Sequence, residues 1–70
     1  MNISALKLIS VSWKKHPSNI RYWYTEDFGG IILLRLNDFP DEPLHTVICG
    51  LEIEDMDDPP SYWDIPSHFR

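Results

Sequence analysis

The chain has 70 residues, a net charge of −5 at neutral pH and 43% hydrophobic residues. A chain of this length forms one domain at most, and we expect that domain to span residues 1–70 with an irregular tail from residue 58. Small domains bury only about 60% of the surface that the unfolded chain exposes, so the core must rely on large side chains. The nine aromatic residues of this sequence suit that role.

Charge is distributed unevenly along the chain. Residues 1–35 contain five basic and two acidic residues, whereas residues 36–70 contain one basic and nine acidic residues. An acidic half argues against nucleic acid as a partner, because neutralising phosphates requires clustered lysine and arginine. It is typical of a protein that meets a basic protein surface.

Cysteine usage and the lengths of the apolar runs indicate the compartment. The single cysteine cannot form an internal disulfide bond, and the first residues lack the pattern of a secretory signal peptide. No apolar run approaches the roughly 20 residues that cross a bilayer. We therefore expect a soluble protein of the reducing cytoplasm that does not bind a membrane.

The first segment, residues 4–13, has two interpretations. The alternation of apolar residues and serines in ISVSW (residues 9–13) is typical of a strand. A helix over residues 4–15 is the alternative, because Ser4 is a suitable N-cap and the apolar residues also fit a helical stripe. The serine and valine content favours the strand.

Three predictions cover the middle of the chain. Residues 14–19 include two lysines and a proline and are expected to form a hairpin loop. Residues 20–25 (IRYWYT) alternate clearly and predict a strand, followed by a turn at residues 26–30. Residues 31–36 (IILLRL) are apolar on both faces except at Arg35, which is typical of a central strand covered on each side or by another chain.

A hairpin is predicted over residues 44–53 (LHTVICGLEI). A turn at Cys49-Gly50 would pair Ile48 with Leu51, whereas a turn at Gly50-Leu51 would place the leucine in the loop. We prefer the first register because it buries one more large apolar side chain, worth roughly 1.5–3 kcal/mol. The residues that then share one face are Thr46, Ile48, Leu51 and Ile53.

The preferred register also places two ionisable side chains opposite each other. His45 would lie across from Glu54 as an exposed pair, worth under about 1 kcal/mol, and we interpret it as structural. Cys49 is four residues from His45, about 13 Å along a strand, so the two cannot bind one metal ion unaided. We expect Cys49 to be a buried structural residue.

Prolines dominate the C-terminal segment, DDPPSYWDIPSHFR. They are expected to prevent regular strand pairing there, since proline lacks the amide hydrogen. The aromatic residues of this tail must then pack back onto the sheet or be offered to a partner; they are Tyr62, Trp63 and Phe69. In the loop before the hairpin, Phe39 is expected to point inward.

An acidic run is the strongest candidate for a functional site. Its five members lie within seven residues, at Glu52, Glu54, Asp55, Asp57 and Asp58. Clustered carboxylates can bind Ca²⁺ or Mg²⁺, but this spacing lacks the glycine and the final glutamate of an EF-hand loop. A solvated rim and a protein-docking patch are the other interpretations. Tyr62 and Trp63 beside the run favour docking, because tyrosine and tryptophan are common interface anchors.

The sequence lacks motifs for catalysis. It contains no G-x-S-x-G elbow, no glycine-rich phosphate loop and no H-E-x-x-H motif. A domain of this size also rarely builds both a core and a pocket of about 300 Å³ or more. We therefore predict no catalytic residues, no metal ligands and no cofactor.

The sequence as a whole predicts a mainly β protein. We expect a small antiparallel sheet of four or five strands in meander order, with the proline-rich tail packed on it; an α+β fold with the N-terminal helix is the alternative. The predicted function is a non-catalytic binding or regulatory module that docks a basic protein, in the manner of an inhibitor or immunity protein. The alternatives are a metal-dependent or hydrolytic enzyme that uses the acidic run, and a homo-oligomer joined through residues 31–36.

Overall fold

The computed structural model describes residues 1–67 and shows a mainly β protein. Five antiparallel strands form the main sheet, and their order in space follows their order in the chain, so the predicted meander is confirmed. The elements in chain order are α1 (Ile3–Leu6), β1 (Val11–Ser12), β2 (Lys14–Lys15), β3 (Tyr22–Thr25), β4 (Ile32–Leu36), β5 (His45–Cys49), β6 (Glu52–Met56) and β7 (Trp63–Asp64). The main sheet comprises β2 to β6, and β1 pairs separately with β7. Phe69 of the predicted aromatic tail lies outside the described residues.

The N-terminal segment begins as a helix, so the predicted strand over residues 4–13 is wrong for its first half. Asn2 caps α1, because its side-chain oxygen accepts a hydrogen bond from the backbone N–H of Ala5 at 2.8 Å. Ile3 and Leu6 are both buried, and their spacing is that of one helix face. Of the predicted strand, only the part at β1 (Val11–Ser12) is paired as a strand. The alternative long helix is wrong too, since α1 has only four residues.

The proline-rich tail forms a short strand, although we expected no regular pairing there. Trp63 and Asp64 pair in parallel with β1, and the backbone N–H of Trp13 donates to the carbonyl of Asp64 at 2.9 Å. The paired segment is two residues long and falls between Pro60 and Pro66, so neither proline has to donate to the ladder. The tail therefore packs on the rest of the fold, as predicted, but through backbone pairing.

The hairpin of β5 and β6 uses the register that we did not favour. Cys49 pairs with Glu52, so the turn residues are Gly50 and Leu51, and the predicted Cys49-Gly50 turn is wrong. Gly50 has a φ of 61°, and a two-residue turn with a positive φ at its first position favours glycine there. The predicted turn would give that strained conformation to the cysteine. The structure avoids this cost by placing Leu51 in the turn, where its side chain is fully exposed.

The observed register also changes the neighbours of His45. His45 lies opposite Met56, and Glu54 lies opposite Val47. His45 is buried, with 6% of its surface exposed. The predicted surface pair of His45 and Glu54 is therefore wrong.

β2 extends the main sheet where a loop was predicted. Lys14 and Lys15 pair with Tyr24 and Trp23 of β3. The first two residues of the predicted loop therefore belong to the sheet. β2 lies at one edge of the main sheet and β6 at the other. The sheet therefore has a basic strand at one edge and an acidic strand at the opposite edge.

A polar residue organises the loop between β4 and β5. Phe39 is 60% exposed, so the prediction that it points inward is wrong. The buried residue is Asn37, whose side-chain amide donates to the carbonyl of Pro43 at 2.9 Å and to the hydroxyl of Thr46 at 2.7 Å. Because a buried amide must be hydrogen-bonded, these contacts fix the path of the loop.

One face of the main sheet carries the core. α1, β1 and β7 lie over this face, and Trp13 and Trp63 meet there edge to face with their ring centroids 5.3 Å apart. The buried apolar residues are Ile3, Leu6, Val11, Trp13, Trp23, Ile32, Leu34, Val47, Cys49 and Trp63.

The other face of the main sheet has no helix or strand packed on it within residues 1–67. β4 is central, as predicted, but it is covered on one face only. Side chains alternate along a strand, so the neighbours of the core residues point to the uncovered side. We call this surface the open face and define it by a row across four strands, Tyr24, Leu33, Ile48 and Ile53, together with Ile31 and Leu51 beside it.

Candidate protein-docking site

The predicted acidic run lies along an outer strand of the main sheet. β6 is last in the strand order, so its outer edge pairs with no strand of residues 1–67. Such an edge presents a row of unpaired backbone N–H and C=O groups. We call the five carboxylates on and directly after this strand the acidic edge; they are Glu52, Glu54, Asp55, Asp57 and Asp58.

Two members of the acidic edge attach the N-terminal helix to the sheet. The Glu52 carboxylate accepts a hydrogen bond from the backbone N–H of Ile3 at 3.2 Å. The Glu54 carboxylate forms an ion pair with the ammonium group of Lys7. Both acids point to the covered face, because their cross-strand neighbours are core residues. These two acids therefore contribute to the fold as well as to the charge of the edge.

The remaining three members are exposed to solvent. Asp55 accepts a hydrogen bond from the hydroxyl of Thr46 at 2.7 Å, and Asp57 accepts one from the backbone N–H of Leu44 at 3.2 Å. A carboxylate can accept several hydrogen bonds, so these contacts position the acids without using their full capacity. Asp55, Asp57 and Asp58 are thus the members of the acidic edge that do not contact α1 or Lys7, and Glu52 is exposed to solvent as well.

The two aromatic residues predicted to join the site lie in different environments. Tyr62 is 47% exposed, and its hydroxyl donates to the carbonyl of Lys7, the residue that pairs with Glu54. Trp63 is 6% exposed, and its indole N–H donates to the carbonyl of Leu6 at 3.3 Å. Tyr62 therefore contacts the chain directly after α1, at Lys7, whereas Trp63 lies in the core.

The basic strand is too far away to neutralise the acidic edge. Lys14 and Lys15 lie on β2, which is separated from β6 by the three other strands. At about 4.8 Å per strand spacing, the two edges are about 19 Å apart. Exposed charges are largely screened beyond about 8 Å at physiological ionic strength. The acidic edge therefore keeps a negative potential of its own, reduced locally where Lys7 pairs with Glu54.

Cys49 and His45 belong to the covered face of the sheet. Cys49 is buried, as expected, and its thiol donates to the carbonyl of Met1 at 3.4 Å. The His45 ring centroid lies 5.8 Å from that of Trp23, and burial lowers the pKa of the imidazole. Within residues 1–67, no three His, Cys, Asp or Glu side chains converge to hold a metal ion.

A shallow groove with a volume of about 270 Å³, which we did not predict, lies on the open face beside β2. Its lining residues are His16, Pro17, Tyr24, Glu26, Ile31 and Leu33. The available signal was the apolar character of both faces in residues 31–36. That pattern indicates that the outward side chains of β4 also need a contact.

Comparison with protein-family models, with curated proteins and with solved structures found no match for this chain. In the part of the chain that the structure describes, no helix has the length and apolar character needed to span a bilayer.

Proposed function

We propose that this protein is a non-catalytic binding module that docks a basic protein segment along its acidic edge. One observation carries the proposal: exposed carboxylates line an outer strand, and the lysines of the sheet lie at the opposite edge. Charge separated in this way attracts a basic partner and orients it before contact. An inhibitor or immunity-type protein for a basic enzyme is the form of this function that suits the size and charge of the chain.

An extended basic segment is the partner that suits β6. The outer edge of a strand binds another strand through backbone hydrogen bonds, in the mode known as β-strand addition. The acids of β6 alternate between the faces, with Glu52 and Glu54 on one and Asp55 on the other. A partner strand with lysine or arginine at opposing positions would form cross-strand pairs worth about 0.2–1 kcal/mol each.

Tyr62 extends the proposed site beyond β6. This residue is about half exposed, and its hydroxyl contacts Lys7, the residue that pairs with Glu54. A tyrosine ring attracts lysine and arginine side chains through cation–π contacts. We leave Trp63 out of the proposed site, because a ring buried in the core is not presented to a partner.

This proposal can be tested by a peptide titration that is monitored by NMR. The probe is a peptide of alternating lysine and threonine, about 8 residues long, which is the length of an ordinary strand. We expect amide chemical-shift changes to concentrate on Glu52–Met56 and around Tyr62, and we expect the affinity to fall as salt is added. Shift changes spread evenly over the surface would contradict the proposal.

A charge-neutralised variant shows whether the acidic edge carries the binding. The variant combines Asp55→Asn, Asp57→Asn and Asp58→Asn, so it removes three charges and keeps the side-chain oxygens that accept from Thr46 and Leu44. With each exposed charge worth up to about 1 kcal/mol, we expect the affinity for the lysine peptide to fall about tenfold or more.

The matched control removes the same charge elsewhere. It combines Asp27→Asn, Asp41→Asn and Glu42→Gln, which lie in the loops that precede β4 and β5. We expect the affinity of this variant to stay close to that of the wild type. Equal losses in the two variants would mean that the peptide responds to net charge alone, and the acidic edge would not be a docking site.

A further inference from the structure

One carboxylate of the acidic edge already holds a cation that belongs to this chain. The ammonium group of Lys7 forms an ion pair with Glu54, and the two side chains are 39% and 42% exposed. Lys7 caps the C-terminal end of α1 and directly follows Leu6, which is fully buried. The ion pair therefore lies at the surface, whereas the helix that carries the lysine is anchored in the core.

The hydrogen-bond pattern of the hairpin gives Glu54 a defined place opposite an added strand. A two-residue turn is closed by a hydrogen-bonded pair, here Cys49 and Glu52, and bonded and non-bonded pairs then alternate along the ladder. The backbone groups of Ile53 and Asp55 therefore point away from β5. An antiparallel strand added at that edge would face Glu54 in a non-hydrogen-bonded pair, with the two Cα atoms about 4.5 Å apart. A lysine of the added strand at this position would lie close to the Glu54 carboxylate.

We infer that Lys7 is an internal competitor for this position, and that a basic segment docks by displacing the Lys7 ammonium group from Glu54. This inference rests on the proposed function, because it concerns the regulation of the same site. A carboxylate that already holds one ammonium group attracts a second one weakly, since the two cations repel each other. Each cation therefore lowers the affinity of the acidic edge for the other, and the effect is reciprocal.

Lys7 can leave Glu54 without disturbing the core. Ile3 and Leu6 are 3% and 0% exposed, and the backbone N–H of Ile3 donates to Glu52, so α1 has attachments that do not involve the lysine side chain. The long aliphatic stem of a lysine lets its ammonium group turn toward solvent. An exposed ion pair changes an equilibrium by about fivefold at most, so the competition is modest and reversible.

The lysine–threonine peptide and two single variants test this inference. Lys7→Gln and Lys15→Gln each remove one positive charge, but Lys15 lies on β2 at the opposite edge of the sheet. We expect Lys7→Gln to tighten peptide binding about threefold more than Lys15→Gln does, because it also frees Glu54. Equal effects would overturn the inference and leave the docking itself intact, provided that the shift changes stay on β6. Absence of peptide binding in all three proteins would overturn both.

Two further variants show whether the ion pair is responsible. Arginine keeps the pair, so Lys7→Arg should bind the peptide about as tightly as the wild type. In the Glu54→Gln protein there is no carboxylate to free, so adding Lys7→Gln should have the same effect as adding Lys15→Gln. If Lys7→Arg tightened binding as much as Lys7→Gln, the packing of the lysine and not its charge would be responsible, and the inference would fail.

The wild type provides a readout that needs no substitution. With isotope-labelled protein and unlabelled peptide, the side-chain NMR signals of Lys7 should change as the peptide docks, and those of Lys15 should not. Lys7 signals that stay unchanged at saturating peptide, while the amides of Glu52–Met56 shift, would contradict the displacement.

Discussion

A buried histidine makes the stability of this protein depend on pH. His45 has 6% of its surface exposed, and its neighbours across the sheet are the apolar residues Leu36 and Met56. Removing the imidazole from water disfavours its charged form, so burial lowers its pKa below the ordinary value of 6.5. The folded protein therefore keeps this ring neutral at pH values where the unfolded chain binds a proton.

We expect the free energy of unfolding to decrease as the pH falls below about 6.5, the pKa of an unperturbed histidine, down to the lower pKa of the folded state. In that window the unfolded state binds more protons, so stability rises with pH, by at most about 1.4 kcal/mol per pH unit for one proton. Urea unfolding between about pH 5 and pH 8 measures this slope. His45→Phe should flatten it, and an unchanged slope in that variant would contradict the assignment to His45.

Tyr62 and Trp63 show how far the environment of a single residue could be predicted. The two aromatics are adjacent in a proline-rich segment, and no local pattern distinguishes them. The structure separates them because β7 pairs with β1, which turns the indole of Trp63 into the core, where it donates to Leu6. That pairing joins the two ends of the chain, so the difference depends on a contact that local sequence does not encode.

Among the elements, the β5–β6 hairpin depends on the conformation of Gly50. Its φ of 61° lies in the left-handed region, and a Cβ atom at this position would meet open space. The cost of adding a side chain is therefore conformational alone. We expect Gly50→Ala to lower the free energy of unfolding by about 1–2 kcal/mol.

Gly30→Ala is the matched control for this prediction. Gly30 also faces open space, but its φ is not in the left-handed region. Alanine at that position should be neutral or stabilise the protein by up to about 1 kcal/mol, because it restricts the unfolded chain. Urea unfolding of both variants provides the comparison. If both substitutions had the same effect, the turn would not be formed at Gly50-Leu51.

The main sheet was predictable because its signals are local. The apolar run at residues 31–36 predicted a central strand, and the alternation in residues 20–25 predicted the faces of β3, which are observed for residues 22–25. The helix α1 could not be predicted in the same way, because four residues are too few to show a helical period. The hairpin error shifted the pairing by two residues, so every side chain stayed on the side of the strand that we expected.

Which side of the hairpin is covered could not be read from the pattern. We expected the side that carries Ile48 and Ile53 to be buried, yet the structure covers the side of Val47 and Cys49. α1 decides this, since its attachment to Glu52 and Glu54 places it on the side of those acids. An apolar surface is left on the open face as a result.

For the molecule as a whole, the strand order determines the distribution of charge. The acidic run is visible in the sequence, but its place on an outer strand and its distance from Lys14 and Lys15 follow only from the order of the five strands. The fold also divides the acids: two hold α1, and three face solvent. A negatively charged strand edge and an apolar open face are thus the two surface features that this strand order creates.

Amide hydrogen exchange along β6 is the most direct test of the proposed docking. In the presence of the lysine–threonine peptide, the amides of Glu52–Met56 that point away from β5 should exchange more slowly, because an added strand would accept their hydrogen bonds. A peptide with glutamate in place of lysine should leave them unchanged. Protection confined to other strands, or equal protection by the two peptides, would contradict docking at the acidic edge.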